Sequence, residues 1–357
     1  MIQKEKIYNL IVTEKCNLNC HYCYAYKGNG VQMDKRTAVQ VCNFVKKDIY
    51  RNKISSAQII FGGNEPLLNF KIVKFIINNL IKQGGSFNFN FIILTNLWAM
   101  NQSILKWVKQ RKVIIHTTLD GPRDLHDLNR GKGSFTKTIF WIRQIHQDNI
   151  PLLVSSVVSR ASLKNYKRII DFFLKEGIEH FNFRPLMLIG AAKINWSRFG
   201  YTSIQFLSFR KNIINYIEKL NLKNEFLLKD DRFLYFIHKI VGDKEKTYLI
   251  SPPCNGIKKQ LCIDPLGNIY VCDEGRSQPD IFMIGDLENG VNQFRARNFF
   301  SLLNKKYQGK CEKENCEFKD ICGPCLAVEN YPLARHFRCS ILKNEFSFCY
   351  RKIKNKI

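Results

Sequence analysis

Apolar runs of four to seven residues, rich in β-branched side chains, recur at 7–12, 58–61, 89–94, 113–119, 152–158 and 180–183. Between them lie longer stretches with apolar positions at helical spacing, at 35–50, 70–83, 101–110, 135–147, 163–176 and 204–220. Runs that are apolar throughout fit strands covered on both faces, and an i, i+3, i+4 stripe fits a helix lying on a core. Six strand–helix units in strict alternation predict an α/β fold with a parallel sheet and helical crossovers. Right-handed crossovers would curl that sheet towards an open, partial (β/α)6 barrel of TIM-like type. In such folds the chemistry gathers at the C-terminal ends of the strands.

The alternation stops near residue 221, which sets a first domain at 1–221. Residues 222–250 read as a linker with one helix around 231–241, and 251–345 as a small, loop-rich, cysteine-dense domain. The dense basic run at 351–356 marks 346–357 as a C-terminal tail. The cysteine-rich part has little apolar sequence of its own, so metal ligation is expected to hold it together.

Length and composition change this picture little: 357 residues and 45% hydrophobic content suit one large domain and a small one. No run approaches the roughly 18 apolar residues of a membrane span, and the first residues lack the apolar stretch of a signal peptide. A cytoplasmic protein is expected. Thirteen cysteines, an odd number, then point to metal ligation rather than disulfides. The net charge of +26 fits either a compositional bias spread over a solvated surface or an acidic partner. Lys and Arg are dispersed along the chain, so nucleic acid is not expected as a partner.

The motifs fall where the chemistry should be. Directly after the first strand comes Cys16-Asn17-Leu18-Asn19-Cys20-His21-Tyr22-Cys23-Tyr24, with spacing C-x3-C-x2-C. Three thiolates on one loop can hold three corners of a cubane iron–sulfur cluster and leave the fourth iron open, as a catalytic metal requires. A zinc knuckle completed by His21 is the alternative. The second strand ends in Phe61-Gly62-Gly63-Asn64-Glu65-Pro66, the third in Thr95-Asn96, and the fourth in Thr117-Thr118-Leu119-Asp120-Gly121-Pro122, followed by His126, Asn129 and Arg130.

The cysteine loop resembles the C-x3-C-x-aromatic-C motif of the radical S-adenosylmethionine (SAM) superfamily, with Tyr22 as the aromatic residue. The resemblance implies that Cys16, Cys20 and Cys23 hold a [4Fe–4S] cluster whose open iron binds SAM, and that a 5′-deoxyadenosyl radical is made. It implies SAM contacts from Tyr22 and from Gly62, Gly63, Asn64 and Glu65, which resemble a Gly-Gly-Glu-Pro motif. Either Asn64 is an insertion there or Gly63-Asn64 replaces the Gly-Gly pair. Thr95-Asn96 stands where relatives often have Thr-Asn-Gly. Thr118 stands where a SAM-contacting serine lies in relatives, Arg130 pairs with the SAM carboxylate or belongs to a turn ordered by Asp120, and Ser156 is a further SAM contact.

Eight further cysteines fall at Cys254, Cys262, Cys272, Cys311, Cys316, Cys322, Cys325 and Cys339. They read as C-x12-G-x4-C around an Asp264–Gly267 hairpin turn, then C-x4-C-x5-C-x2-C, then Cys339. The set resembles the SPASM extension of that superfamily, which carries two auxiliary [4Fe–4S] clusters. Carried over by position, Cys254, Cys262, Cys272 and Cys325 hold the nearer cluster, and Cys311, Cys316, Cys322 and Cys339 the outer one. A pair of zinc sites is the alternative for these eight. Cys42 sits on a helical apolar stripe and Cys349 near the C-terminus, and neither takes a ligand role.

The resemblance implies a precursor peptide substrate, modified oxidatively by a crosslink to carbon or sulfur. It also implies a flavodoxin- or ferredoxin-type electron donor, and recognition of the leader by the barrel or by a separate leader-binding protein. Asp273, beside Cys272, is the candidate proton acceptor, or else an ion-pair partner of Arg276. Two other readings compete: an anaerobic sulfatase maturase forming formylglycine, and a zinc-bearing, basic nucleic-acid-binding protein.

Overall fold

The computed structural model describes residues 5–25, 28–223, 228–242, 254, 256–307, 315–318, 325–329 and 332–354. Its strands are β1 Glu5–Leu10, β2 Ser56–Phe61, β3 Asn88–Thr95, β4 Ile114–Thr118, β5 Leu152–Val157, β6 His180–Arg184, β7 Lys229–Asp230, β8 Gln260–Ile263, β9 Asn268–Tyr270, β10 Met283–Asp286 and β11 Gly290–Val291. They form one sheet in the order β11-β10-β9-β8-β1-β2-β3-β4-β5-β6-β7. From β1 to β7 neighbours run parallel, and helices carry each crossover. This is the expected α/β fold of a partial barrel.

Each helix forms because its apolar stripe has a sheet face to cover. In the helix Lys35–Asn52 the Asp34 side chain caps the first turn, accepting from the Thr37 amide at 2.7 Å. Its buried residues Ala38, Val41, Cys42 and Val45 repeat at i, i+3, i+4 and i+7. Cys42 is thus a core residue, 1% exposed. Alternation along the strands then fixes the two faces. Tyr8 of β1 points outward and donates to Asp48 of that helix at 2.6 Å. Phe183 of β6 points outward against Phe209 of the helix Ser203–Lys223, with ring centroids 5.5 Å apart.

The smaller C-terminal part is continuous with the barrel sheet. β8 pairs parallel with β1, Cys262 opposite Asn9, and then turns back on itself as the hairpin β8–β9. The turn is the expected one. Asp264 Oδ1 accepts from the amides of Leu266 and Asn268, each at 2.9 Å, and Gly267 adopts φ +89°.

Three expectations change. The segment before 135 contains a further helix, Arg123–Arg130, opened by Pro122 and closed at Gly131. The 222–250 segment supplies β7, which extends the barrel sheet, besides its helix Asp231–Ile240. The boundary at 345/346 falls inside a helix, Pro332–Lys354, so the basic run ends a packed element rather than a free tail. Buried Arg210 pairs with Asp230 and with Glu345 of that helix, the latter at 2.9 Å, and Arg232 donates to Glu345 at 3.0 Å. Phe346 and Cys349 are buried beside Phe236, which places Cys349 in the core.

Candidate active site

The loop after β1 carries Cys16, Cys20 and Cys23, all free thiols. Its base is closed by the bridge between Thr13 and Gln32 and by the Glu14 amide donating to Val31 at 2.8 Å. Its tip is tied to other strand ends. The His21 amide donates to the Asn129 carbonyl at 3.0 Å, and the Cys23 carbonyl accepts from Ala191 at 2.9 Å. The His21 ring stacks on Phe199 at 5.2 Å and 15°. The three thiols of the loop suit a cubane with an open iron.

Asp120, just past β4, holds this loop in place. It is fully buried, and its Oδ2 accepts from Tyr22 Oη at 2.5 Å, Arg130 Nε at 3.1 Å and Asn129 Nδ2 at 3.3 Å. Its Oδ1 accepts from the Val157 amide at 2.9 Å, so one carboxylate joins the cysteine loop to the ends of β4 and β5. Tyr22 is therefore a support of the loop. Arg130 is committed through Nε to Asp120 and lies over the Tyr22 ring at 5.4 Å. The turn ordered by Asp120 is what the structure contains, and any bond from Arg130 to a cofactor carboxylate must come from its terminal nitrogens.

At the end of β2 the backbone is bent around a cradle. Gly63 adopts φ +85°, and a Cβ on it would meet Ile11 at 2.6 Å, so this position requires glycine. A Cβ on Gly62 would make only ordinary contact with Leu94, at 3.7 Å. Asn64 Nδ2 donates to the Glu14 carbonyl at 2.9 Å, while its buried Oδ1 has no hydrogen-bond partner. An orphaned buried acceptor needs a donor, and the amino group of SAM is one. Thr118 ends β4, half-buried, on the same face as His116.

Of two further expected SAM contacts, Glu65 has its side chain committed within the protein and Ser156 faces away from the barrel. Glu65 is 1% exposed and both its oxygens are used: Oε1 accepts from Leu67 N at 3.1 Å and Thr95 Oγ1 at 2.7 Å, and Oε2 from Asn96 N at 2.8 Å. It clamps the end of β2 to the end of β3, and burial pushes it up to about 7 against those donors. Ser156 is the register partner of Phe183, so it faces the helices behind the sheet and is fully buried. The barrel-facing residue is its neighbour Ser155, whose Oγ bonds to His116 Nε2 at 2.8 Å.

Asp273 arrives from the C-terminal segment. Its Oδ2 accepts from Tyr24 Oη at 3.2 Å, and Arg276 lies 3.8 Å from its Oδ1. The carboxyl is 14% exposed, and burial, reinforced by Glu274 and opposed by Arg276, raises it to about 6. Arg276 is held more closely by Glu14 of the cysteine loop, at 3.0 Å. Tyr24 and Glu14 were missed as site residues. Tyr24 sits directly beside Cys23, and that adjacency was the available signal.

Of the eight later cysteines, Cys311 and Cys322 lie outside the described residues. Burial raises the thiols of Cys254, Cys272 and Cys325. Cys325 acts further on Cys254 and Cys272, Cys254 on Cys272, and Glu274 on all three. Cys262 lies inside β8, opposite Asn9 of β1. It is fully buried, and after burial it feels first Asp273 and then Arg276. Cys339 lies on the helix Pro332–Lys354, and Cys316 in the short segment 315–318.

Residues 10–188 match the Radical SAM superfamily. The chain belongs to that superfamily. Over 332 residues it is 25% identical to a cysteine-type anaerobic sulfatase-maturating enzyme of Clostridium novyi, covering 87% of this chain and 84% of that one. Over 342 residues it is 23% identical to the radical SAM cyclopropyl synthase TigE of Paramaledivibacter caminithermalis, covering 90% and 68%. An uncharacterized protein of Methanocaldococcus jannaschii is 28% identical over 187 residues, and the match spans 63% of its length and 51% of this chain. Among solved structures, anSMEcpe with bound AdoMet and Cp18Cys peptide shares the fold, with a TM-score of 0.81, 16% identity and 98% of each chain covered. The radical SAM assignment brings with it SAM and a [4Fe–4S] cluster.

Proposed function

We propose that this radical SAM enzyme is a SPASM-type maturase that oxidatively crosslinks residues of a ribosomally synthesised peptide. The observation that carries the proposal is the Tyr24–Asp273 bond, which sets a carboxyl group of raised pKa beside the radical-generating loop. Cys16, Cys20 and Cys23 would hold the cluster, Gly63 and Asn64 would cradle the amino-acid end of SAM, and Thr118 would face it from β4. When bound, the cluster and SAM supply a carbon radical able to remove a hydrogen atom from an unactivated carbon of the peptide. Completing a crosslink then requires loss of a proton and an electron. Asp273 is the proton acceptor in this reading, held by Tyr24 and flanked by Arg276.

The electron leaves towards the later cysteines. Cys254, Cys262, Cys272 and Cys325 would hold a nearer auxiliary cluster, and Cys311, Cys316, Cys322 and Cys339 an outer one. The net charge of +26 favours an acidic flavodoxin- or ferredoxin-type protein as electron donor, through interactions that weaken with salt. No helix among the described residues is long and apolar enough to cross a membrane, which accords with a cytoplasmic site of action. Leader recognition would fall to the barrel or to a separate protein.

A second reading, formylglycine formation in a sulfatase, draws support from the Clostridium novyi relative, which aligns over most of both chains. One experiment separates the two. The anaerobically reconstituted enzyme is incubated with SAM and a reductant. It receives either the short peptides encoded beside its gene or a peptide carrying a sulfatase motif. Loss of two hydrogens from a neighbouring peptide, with a crosslinked fragment ion, supports the first reading. An aldehyde on the sulfatase peptide, with the other peptides unchanged, overturns it.

A further inference from the structure

Asn96, the first residue after β3, is held from four directions. Its amide N–H donates to Glu65 Oε2 at 2.8 Å, and its carbonyl accepts from Thr138 Oγ1 at 3.2 Å. Its side-chain Oδ1 accepts from the Trp98 amide at 2.8 Å. That bond fixes which end of the amide is oxygen, because a backbone N–H can only donate. The nitrogen therefore faces the cysteine loop, where Nδ2 lies 2.8 Å from Asn17 Oδ1 and 3.8 Å from Cys16 Sγ. The following residue, Leu97, is fully buried and adopts φ +66°. A leucine rarely takes that left-handed conformation, and such strain persists only where surrounding contacts impose it. The turn 95–98 thus presents one side-chain amide to the cysteine loop, where Asn17 Oδ1 and the Cys16 sulfur share it.

We propose that Asn96 is a positioning residue that donates a hydrogen bond to the Cys16 sulfur and thereby sets the reduction potential of the cluster on that loop. Sulfur hydrogen bonds are among the factors that tune iron–sulfur potentials. An N–H aimed at a ligand sulfur stabilises the reduced cluster, which carries one more negative charge, so the potential rises. Cys16 already accepts from the Leu18 amide at 3.5 Å, and Asn96 adds a second donor from a different strand. Because Asn96 also bonds Glu65, the β2 cradle and the cluster loop are locked in register through a single residue. This inference concerns the cluster of the superfamily and holds whichever peptide chemistry the site performs.

The test is an EPR-monitored redox titration of the anaerobically reconstituted full chain, following the signal that changes when SAM is added. Asn96→Asp keeps the shape and the acceptor for Trp98 but removes the donor and adds a negative charge, so Asn96→Leu, which removes the donor without a charge, is titrated beside it and must show the same direction of shift. The expected result is a tenfold lower ratio of reduced to oxidised cluster at fixed potential, about 59 mV for a one-electron couple. An unchanged or higher midpoint, with iron retained, overturns the proposal. Should these variants lose their iron, Asn17→Ala carries the test. It removes the competing acceptor and leaves Asn96 to Cys16 alone, so the midpoint should rise, and a midpoint that stays or falls overturns the proposal.

Discussion

The Tyr24 hydroxyl donates to Asp273 across 249 residues of chain, at 3.2 Å. The bond joins the cysteine loop of the barrel to the turn that follows Cys272, and among the described residues Asp273 is the carboxylate that accepts from Tyr24. Glu14 and Arg276 make a second link between the same two segments.

If Asp273 accepts the substrate proton, its loss should separate two steps. Asp273→Asn and Tyr24→Phe are expected to leave reductive SAM cleavage within a few-fold of wild type. Modified peptide should fall by about 10²-fold or more for Asp273→Asn, and by less for Tyr24→Phe. Mass spectrometry of 5′-deoxyadenosine and of peptide product reads both quantities at once. Parallel loss of the two products would instead make the pair a structural tie.

The sequence made the strand ends legible because parallel strands buried on both faces read as continuous apolar runs. It did not make the facing of each side chain legible. Ser156 lies one residue from the barrel-facing Ser155, and a shift of one residue along a strand exchanges the two faces. Glu65 stands in a cofactor-like motif, but Leu67, Thr95 and Asn96 already donate to its side chain, and only the fold brings the last two there. Leu97 occupies the position where relatives often carry glycine, and it adopts the backbone that glycine would provide. The basic tail was misread because Lys and Arg dominate its exposed side, while Glu345, Phe346 and Cys349 form the buried side.

The Gly63 cradle makes a steric prediction. In Gly63→Ala the new methyl would lie 2.6 Å from Ile11 on a backbone at φ +85°, so the loop must move. A stability loss of roughly 1–3 kcal/mol is expected, with SAM affinity reduced more than tenfold by equilibrium binding. Gly62→Ala, with room for its methyl, should bind SAM far closer to wild type.

Cys262 and Cys272 are both buried, but Cys272 shares its surroundings with Cys254 and Cys325. If Cys262 joins those three as the fourth ligand, Cys272→Ala and Cys262→Ala should each lose about four irons per chain on anaerobic reconstitution, the content of one [4Fe–4S] cluster. Iron retained in Cys262→Ala alone would remove Cys262 from the ligand set.

His126 should make the protein acid-sensitive. Its Nδ1 accepts from the Asp120 amide at 3.3 Å, a role open only to the unprotonated ring, and burial lowers it from 6.5 to about 4, with Arg130 adding to the fall. A base whose folded pKa is depressed binds protons more readily when unfolded. Its neutral form therefore supports the fold fully above about pH 6.5, and that support is lost as pH falls towards about 4. At about pH 5.5 the loss amounts to roughly 1 kcal/mol for this imidazole. In His126→Asn a carbonyl oxygen can take the place of Nδ1 without titrating. Urea unfolding of both proteins at about pH 7.5 and about pH 5.5 should show a smaller drop for the variant. Because Asp120 also anchors Tyr22 and Arg130, the same acidification should loosen the cysteine loop, and wild type should release iron faster than His126→Asn at the lower pH. Identical pH dependence in the two proteins would place the acid sensitivity at another group.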